Sequence, residues 1–250
     1  MVARQLRASG GMWLRLGATQ IHIDPGPGAL VRALSHVPPC NPRELDAIVL
    51  SHKHLDHAAD ATAMIEAMTS GGFRKRGALL APNDALTGEP TVLPYAHHFV
   101  ERIDVLTERS GPHLIGDVEV RTSIRHVHAV ETYGMHFKHG DMTLSYLPCG
   151  KYFDGLAADY AQHKPDVLVI NVLRFRDGMD VDHLTWDHAR TVVQEVMPRV
   201  VIFQHFGTKM LEQNPRQLAQ TVEDDLGIRA IAAYDGLEID LTTEVAAVVA

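Results

Sequence analysis

Hydrophobic residues follow strand-like and helix-like spacings in turn along the chain. Short runs rich in apolar, β-branched residues predict strands, and apolar residues at every third or fourth position predict helices. Strands are expected near residues 12–16, 19–24, 46–50, 118–124, 135–138, 143–147, 167–172, 199–203, 228–232 and 237–241. Helices are expected near residues 29–35, 58–70, 154–162, 185–196 and 215–226. This mixture predicts an α/β fold in which helices face two sheets.

One junction between a strand and a helix carries unusual side chains. The strand near 46–50 is apolar and β-branched at its centre, which is typical of a strand buried on both faces. The segment His52-Lys53-His54-Leu55-Asp56-His57 comes just after it, and the helix near 58–70 follows and is expected to end with a glycine C-cap at Gly71. Imidazole and carboxylate groups are common metal ligands, so we interpret this segment as a metal-binding loop. The alternative is a solvated polar loop.

Composition narrows the class of protein. The chain has 250 residues, of which 46% are hydrophobic, and it has no repeat or linker-like segment, so a single domain spanning 1–250 is expected. Its 23 basic and 31 acidic residues give a formal charge of -8. This charge disfavours nucleic acid as a partner and favours a small-molecule substrate.

The chain contains no apolar run close to the roughly 20 residues of a membrane helix, and its N-terminal segment lacks the apolar stretch of a signal peptide. No membrane partner is therefore expected, and a cytoplasmic location is the default. The two cysteines, Cys40 and Cys149, are too few for a disulfide framework.

The segment 52–57 resembles the His-x-His-x-Asp-His motif of the metallo-β-lactamase superfamily, and the resemblance extends over most of the chain. It implies the αββα sandwich of that family, with two mixed sheets flanked by helices. The family's third histidine follows a strand, which fits His128 in HVHAVETYGMHF, with His126 as the alternative. The last histidine of the family ends a strand near the C-terminus, and His205 in QHFG matches it.

The sequence departs from the family pattern at one ligand. The family has a bridging aspartate after a strand, and the matching segment LSYLPCGKYF has Cys149 at that place. The resemblance at this position is to the true β-lactamases that use cysteine, and a thiolate is an acceptable ligand. The alternative is a buried cysteine that binds no metal.

Carried over residue by residue, the resemblance implies two metal ions with a hydroxide between them as the nucleophile. Zinc suits this mixture of donors, while iron and manganese stay open. The implied ligands are His52, His54 and His128 for one ion, and Asp56, His57, Cys149 and His205 for the other.

Two further residues are candidates for supporting roles. Asp24 in HIDPGPG matches a family position beneath the motif, where it would accept a hydrogen bond from a ligand histidine; the alternative is a turn-forming aspartate. His183 resembles a histidine that assists proton transfer in ribonuclease Z-like members; the alternative is a residue at the helix N-terminus without a catalytic part. Asp56 and His183 are the expected catalytic residues.

The resemblance implies a metal-dependent hydrolase of a small ester, with a phosphodiester ahead of a thioester or lactone because His57 and His183 resemble phosphodiesterase members. A β-lactamase proper is disfavoured by His57. The alternatives are a mononuclear iron oxidoreductase similar to sulfur dioxygenases, and a metal-binding protein without catalysis. Specificity is expected in the loops 71–94 and 177–182, and apolar residues in 73–99 leave a homodimer contact open.

Overall fold

The computed structural model describes residues 6–9, 11–176 and 182–247, and only the backbone of 246 and 247. These residues form two compact units. The first unit contains the described residues up to Thr122 together with Val130–Tyr133, and the second contains Ser123–Ala129 and the described residues from Gly134 onward. Each unit has a hydrophobic core of its own. A single domain over 1–250 therefore stays a prediction.

The first sheet has five strands in the order β1-β2-β3-β4-β5. They are β1 Met12–Leu16, β2 Thr19–Ile23, β3 Ala47–Val49, β4 Ala78–Pro82 and β5 Arg102–Leu106. Strands β1 and β2 are antiparallel, and the remaining neighbours are parallel, so the sheet is mixed. Every residue of β3 is fully buried, as predicted for the strand that leads into the motif.

The helices of the first unit pack around this sheet. They are α1 Ala29–Ser35, α2 Leu55–Ala58, α3 Ala61–Thr69 and α4 Asn83–Leu86, with short 3-10 helices at Pro42–Glu44 and Pro94–His98. Helix α3 buries Met64, Ile65 and Met68, which share one face because helical neighbours are three and four residues apart. These side chains join Ile48 of β3 in the core of the first unit.

The second sheet has seven strands in the order β12-β11-β10-β9-β8-β7-β6. They are β6 His113–Ile115, β7 Val118–Arg125, β8 Tyr133–His139, β9 Met142–Leu147, β10 Val167–Asn171, β11 Val200–Gln204 and β12 Arg229–Ala232. Strands β8 and β9 are antiparallel, whereas β9 to β12 are parallel. The carboxyl ends of β9, β10 and β11 therefore lie at one edge of the sheet.

The helices of the second unit cover its parallel strands. They are α5 Leu156–Ala161, α6 Trp186–Val196, α7 Thr208–Leu211, α8 Pro215–Leu226 and α9 Leu241–Ala247. Helix α6 begins after Thr185, whose hydroxyl accepts a hydrogen bond from the His188 amide at 3.2 Å, a capping arrangement that satisfies an amide at the helix start. Its apolar face enters the core of the second unit.

Two mixed sheets with helices agree with the predicted fold class, and two predicted elements are wrong in detail. The helix expected over 58–70 begins three residues later, as α3 at Ala61, and residue 58 belongs to the separate helix α2. The two helices are separate because the backbone amide of Asp60 binds the carbonyl of Pro25 and its carboxylate binds the Leu30 amide. The helix α3 ends with Ser70 in the left-handed conformation, at φ 56°, in place of the expected glycine. The alternating sequence 237–241 forms no strand, because the Asp240 carboxylate binds the Thr242 amide at the start of α9.

Strands β4, β5 and β6 were not predicted. Both β4 and β5 lie in the parallel part of the first sheet, where tertiary packing determines the strands. Of the loops expected to determine specificity, the first contains β4 and α4, and residues 177–181 of the second lie outside the described residues.

Candidate metal centre

Strand β3 leads directly into the histidine motif. The chain continues from Val49 through the buried residues Leu50 and Ser51 to His52, and the turn of helix α2 then carries Asp56 and His57. His52 is fully buried and His57 is 3% exposed, whereas His54 and Asp56 are partly exposed. The motif therefore begins on buried chain after β3 and ends on the short helix α2, where His57 is buried as well.

A serine and an aspartate determine which nitrogen of His52 carries the proton. The Ser51 hydroxyl donates to Oδ2 of Asp24 at 2.6 Å, so its single hydrogen is already used. The 2.9 Å contact between Ser51 Oγ and Nδ1 of His52 must then be a hydrogen bond that Nδ1–H donates. This leaves Nε2 as the lone-pair nitrogen of His52, which is the form of imidazole that binds a metal ion.

The same aspartate orients His57. Its Oδ2 lies 3.0 Å from Nδ1 of His57, and a carboxylate can only accept, so Nδ1 of His57 carries the hydrogen. Nε2 is again the lone-pair nitrogen, and it lies 3.7 Å from Oδ2 of Asp56. A carboxylate behind a histidine is the usual support for a metal-ligating imidazole. The interpretation of Asp24 as an orienting residue thus fits the geometry, in addition to its place in the turn.

The electrostatics of Asp24 agree with this arrangement. Burial by itself raises the pKa of the Asp24 carboxyl, because a charged group is disfavoured away from water. The hydrogen bond from His57, favourable electrostatic interactions with His57 and His52, and the hydrogen bond from Ser51 outweigh burial and hold the pKa below its ordinary value. Asp24 is therefore a carboxylate acceptor at neutral pH.

The ligand atoms of the motif lie close together. Those of His52 lie within 4.8 Å of those of both His54 and His57, and those of Asp56 and His57 are within 4.8 Å of each other. The ring centroids of His52 and His57 are 4.2 Å apart, and those of His52 and His54 are 4.9 Å apart. Three imidazoles and one carboxylate at this spacing are suitable donors for a divalent cation. The residues of this segment therefore fit a metal ion.

In the second unit, two predicted ligands follow parallel strands, β9 and β11, that lie on either side of β10. Cys149 comes two residues after β9 and is 2% exposed, and His205 comes directly after β11 with φ 60°. The sulfur of Cys149 lies 3.7 Å from Nε2 of His205. Both side chains belong to the candidate metal ligands, so the substitution of cysteine for the family's aspartate keeps a donor beside the last histidine.

The two candidates for the third histidine differ in their hydrogen bonds. Both ring nitrogens of His126 are used inside the unit: Nδ1 contacts the Cys149 carbonyl and Nε2 contacts the Tyr160 hydroxyl, each at 3.1 Å. His128 is partly exposed, packs edge-on against His183 at 5.2 Å between ring centroids, and is one of the candidate ligands. Hydrogen bonding therefore favours His128 as the ligand and gives His126 a structural part.

His183 lies outside helix α6, two residues before its N-cap Thr185. Its ring lies 6.2 Å from that of His205, with the planes nearly parallel at 27°. Its Nδ1 is buried and has no hydrogen-bond partner among the described residues. His183 therefore lies beside two candidate ligands, His128 and His205, and its part in proton transfer stays a prediction.

Sequence reasoning missed several supporting residues. Ser51, Asn171 and Gln204 all contact candidate ligands or their neighbours, yet none belongs to the motif pattern. Asn171 could have been selected as a candidate from the sequence, because it is the single polar residue in the apolar strand VLVIN. Ser51 could be recognised only through its hydrogen bonds.

The chain belongs to the β-lactamase superfamily domain family, whose model matches residues 19–206. It is 28% identical over 247 residues to the uncharacterized protein MJ1374 of Methanocaldococcus jannaschii, covering 95% of this chain and 89% of that protein. It is 26% identical over 220 residues to the probable metallo-hydrolase YhfI of Bacillus subtilis, covering 86% of each. A metal-dependent hydrolase is the class that these relatives support.

Solved structures agree on the fold. The crystal structure of the metallo-β-lactamase fold protein YhfI from Bacillus subtilis has a TM-score of 0.70 at 20% identity, with 90% of this chain and 88% of that chain covered. A diphosphatase of the PhnP family has a TM-score of 0.63 at 23% identity, with 91% and 81% covered. The chain thus has the metallo-β-lactamase fold, which confirms the predicted fold class.

No helix among the described residues is both long enough and apolar enough to cross a membrane.

Proposed function

We propose that this protein is a metal-dependent phosphodiesterase that hydrolyses a small diester with two zinc ions as cofactors. The observation that carries the proposal is the arrangement around Asp24. Its carboxylate accepts hydrogen bonds from His57 and Ser51, and these bonds give His52 and His57 the tautomer that binds metal. A buried carboxylate that prepares two neighbouring imidazoles in this way has no comparable use in a solvated polar loop.

The proposed centre has two ligand sets. His52, His54 and His128 hold one ion, and Asp56, His57, Cys149 and His205 hold the other. This assignment rests on the resemblance of each segment to the family, and the match to the family model over residues 19–206 includes all seven positions. Zinc is proposed because imidazole, carboxylate and thiolate donors together suit it.

Two divalent ions held by these residues would lower the pKa of water toward neutrality and stabilise the negative charge that develops on phosphoryl oxygens. The side chains of the protein orient the metal ligands and the attacking water, and they supply the proton for the leaving group. Asp24 holds His57 and, through Ser51, His52 in the required orientation. Asp56 serves as a ligand and orients the attacking water. In the proposed step, water releases one proton to solvent and its oxygen bonds to phosphorus while the bond to the leaving oxygen breaks. Protonated His183 would give the leaving oxygen its proton and then take up another from solvent.

A phosphodiester is proposed ahead of a thioester or lactone for two reasons. The segments containing His57 and His183 resemble those of phosphodiesterase members, and the solved structures similar in fold include a diphosphatase of the PhnP family. The formal charge of -8 favours a small substrate over a nucleic acid polymer. A thiolate ligand requires a reduced cysteine, which suits a reducing compartment, so we propose the cytoplasm.

The proposal is tested by metal analysis of the wild type, Cys149→Ser and Cys40→Ser. Cys40 is the matched control because it is the second free cysteine and lies outside the ligand set. We expect two zinc ions per chain in the wild type and Cys40→Ser, and loss of about one ion in Cys149→Ser. A single iron in all three proteins would overturn the zinc phosphodiesterase and favour the iron oxidoreductase.

A further inference from the structure

The sulfur of Cys149 lies at the end of a chain of side-chain amides. Asn171, the last residue of β10, is 3% exposed and places its Nδ2 3.6 Å from the Cys149 sulfur. The same nitrogen lies 3.1 Å from the hydroxyl of Tyr146. An amide NH₂ has two hydrogens, so these two contacts use both of them.

The acceptor side of this amide is also used. Oδ1 of Asn171 accepts a hydrogen bond from Nε2 of Gln204 at 3.0 Å. Asn171 and Gln204 are register partners in the parallel pair β10 and β11, so their side chains are neighbours on one face of the sheet. Gln204 thereby determines the orientation of the Asn171 side-chain amide. If that amide were flipped, so that its oxygen faced the sulfur, the hydrogen bond from Gln204 would be lost.

Gln204 directly precedes His205, whose Nε2 lies 3.7 Å from the Cys149 sulfur. The ends of three adjacent strands are thus connected by side chains: Cys149 after β9, Asn171 at the end of β10, and Gln204 and His205 at the end of β11. An N–H group that donates a hydrogen bond to a buried sulfur stabilises negative charge on that sulfur and restricts the orientation of the side chain.

The geometry points to Asn171, oriented by Gln204, as a positioning residue that aims the Cys149 sulfur at a metal ion shared with His205. This inference rests on the proposed function, because it takes Cys149 as a ligand. Asn171 is not itself a proposed metal ligand. Its proposed role is to donate a directed hydrogen bond to the thiolate of Cys149. The family pattern, which has an aspartate at this position, does not imply such a role.

The test uses Co²⁺ in place of the native ion, because a cobalt–thiolate bond gives a charge-transfer absorption that reports the sulfur directly. Metal-free protein is titrated with Co²⁺ for the wild type, Asn171→Leu, Asn171→Asp and Gln204→Glu. Asn171→Asp keeps the acceptor for Gln204 but removes the donor to sulfur, and it covers the case in which Asn171→Leu fails to fold. Tyr146→Phe is the matched control, since it removes the other partner of the same Nδ2.

We expect both Asn171 variants to weaken or shift the charge-transfer band and to lower the affinity for the second Co²⁺ by about 10- to 100-fold. Gln204→Glu should have a smaller effect in the same direction, and Tyr146→Phe should keep the wild-type band. A wild-type band that persists unchanged in folded Asn171→Asp would overturn the inference while leaving Cys149 as a ligand. Absence of the band in the wild type would overturn the ligand assignment of Cys149 and the inference together.

Discussion

The carboxylate of Asp24 lies 3.0 Å from Nδ1 of His57, and both side chains are almost completely buried. The two residues come from different parts of the first unit, Asp24 after β2 and His57 on the short helix after β3. Because β2 and β3 are parallel neighbours, their carboxyl ends lie at the same edge of the sheet. The sheet topology thus brings together a ligand and the carboxylate that orients it.

Replacing Asp24 by Asn should weaken metal binding by about 10- to 100-fold. The amide keeps the shape of the carboxylate, and Asn is one of the residues that tolerate the left-handed conformation found here, with φ 53°, so the backbone is preserved. The neutral amide is a poorer acceptor for His57 Nδ1–H and Ser51. The check is calorimetric titration of the metal-free protein with zinc.

Asp46→Asn is the control for that experiment, because Asp46 also accepts a backbone hydrogen bond in the first unit, from Gln20, without contacting the motif. Equal zinc affinity for Asp24→Asn and Asp46→Asn would contradict the orienting role of Asp24.

The two histidines of the HVH segment should respond differently to substitution. His128→Gln should lower the zinc content, because it removes a proposed ligand. His126→Gln should keep the zinc content and reduce the free energy of unfolding, because His126 is hydrogen-bonded to the Cys149 carbonyl and the Tyr160 hydroxyl. Elemental analysis and denaturant titration measure the two effects. Loss of zinc in His126→Gln alone would reverse the assignment.

Substitution of His183 should affect turnover more than metal binding. If His183 gives the leaving oxygen its proton, His183→Gln should lower kcat by about 10²- to 10⁴-fold while zinc content stays at the wild-type level. His163→Gln is a suitable control, since His163 stacks on His136 in the second unit and is not a proposed ligand. An unchanged kcat in His183→Gln would exclude the proposed proton transfer.

The pH dependence of stability should contain a contribution from His136. Burial lowers the pKa of His136 well below its ordinary value of 6.5, and the neighbouring His163 and His126 lower it further. Its ring also faces Tyr160 and Ser145. The unfolded state therefore binds the proton first as the pH falls, so the contribution to stability is complete above pH 6.5 and decreases as the pH falls toward the folded pKa.

The corresponding measurement is the free energy of unfolding of the metal-free protein between neutral and acidic pH. The wild type should lose up to about 1.4 kcal/mol per pH unit more than His136→Asn, which cannot take up this proton. Parallel curves for the two proteins would show that His136 titrates normally.

Much of the fold could be predicted from the sequence because the strongest signals are local. The helices at 29–35 and 215–226 have the predicted bounds, helped at the second by a proline at its first position. The start of the helix expected over 58–70 was predicted three residues too early, because Asp60 binds Pro25 and Leu30, which are distant in sequence. The strand expected at 237–241 failed because Asp240 caps a helix, although the pattern alternates.

The candidate site also combines features that are local in sequence with features that depend on long-range contacts. Clustered histidines at His52, His54 and His57 can be recognised from sequence, because their spacing is itself unusual. The roles of Ser51 and Asn171 depend on which strands are neighbours, and a single sequence does not state strand order. The resemblance already implied His128 in preference to His126, and the supporting hydrogen bonds of His126 are seen only in the folded chain.

The most direct test of the account is the rate of bis(p-nitrophenyl) phosphate hydrolysis by the purified protein, measured as isolated, after removal of metal with a chelator, and after addition of Zn²⁺. The account predicts hydrolysis that is lost on chelation and restored by zinc in the wild type, and that zinc fails to restore in His52→Ala. Hydrolysis unaffected by chelation, or no hydrolysis by the zinc-loaded wild type, would contradict it.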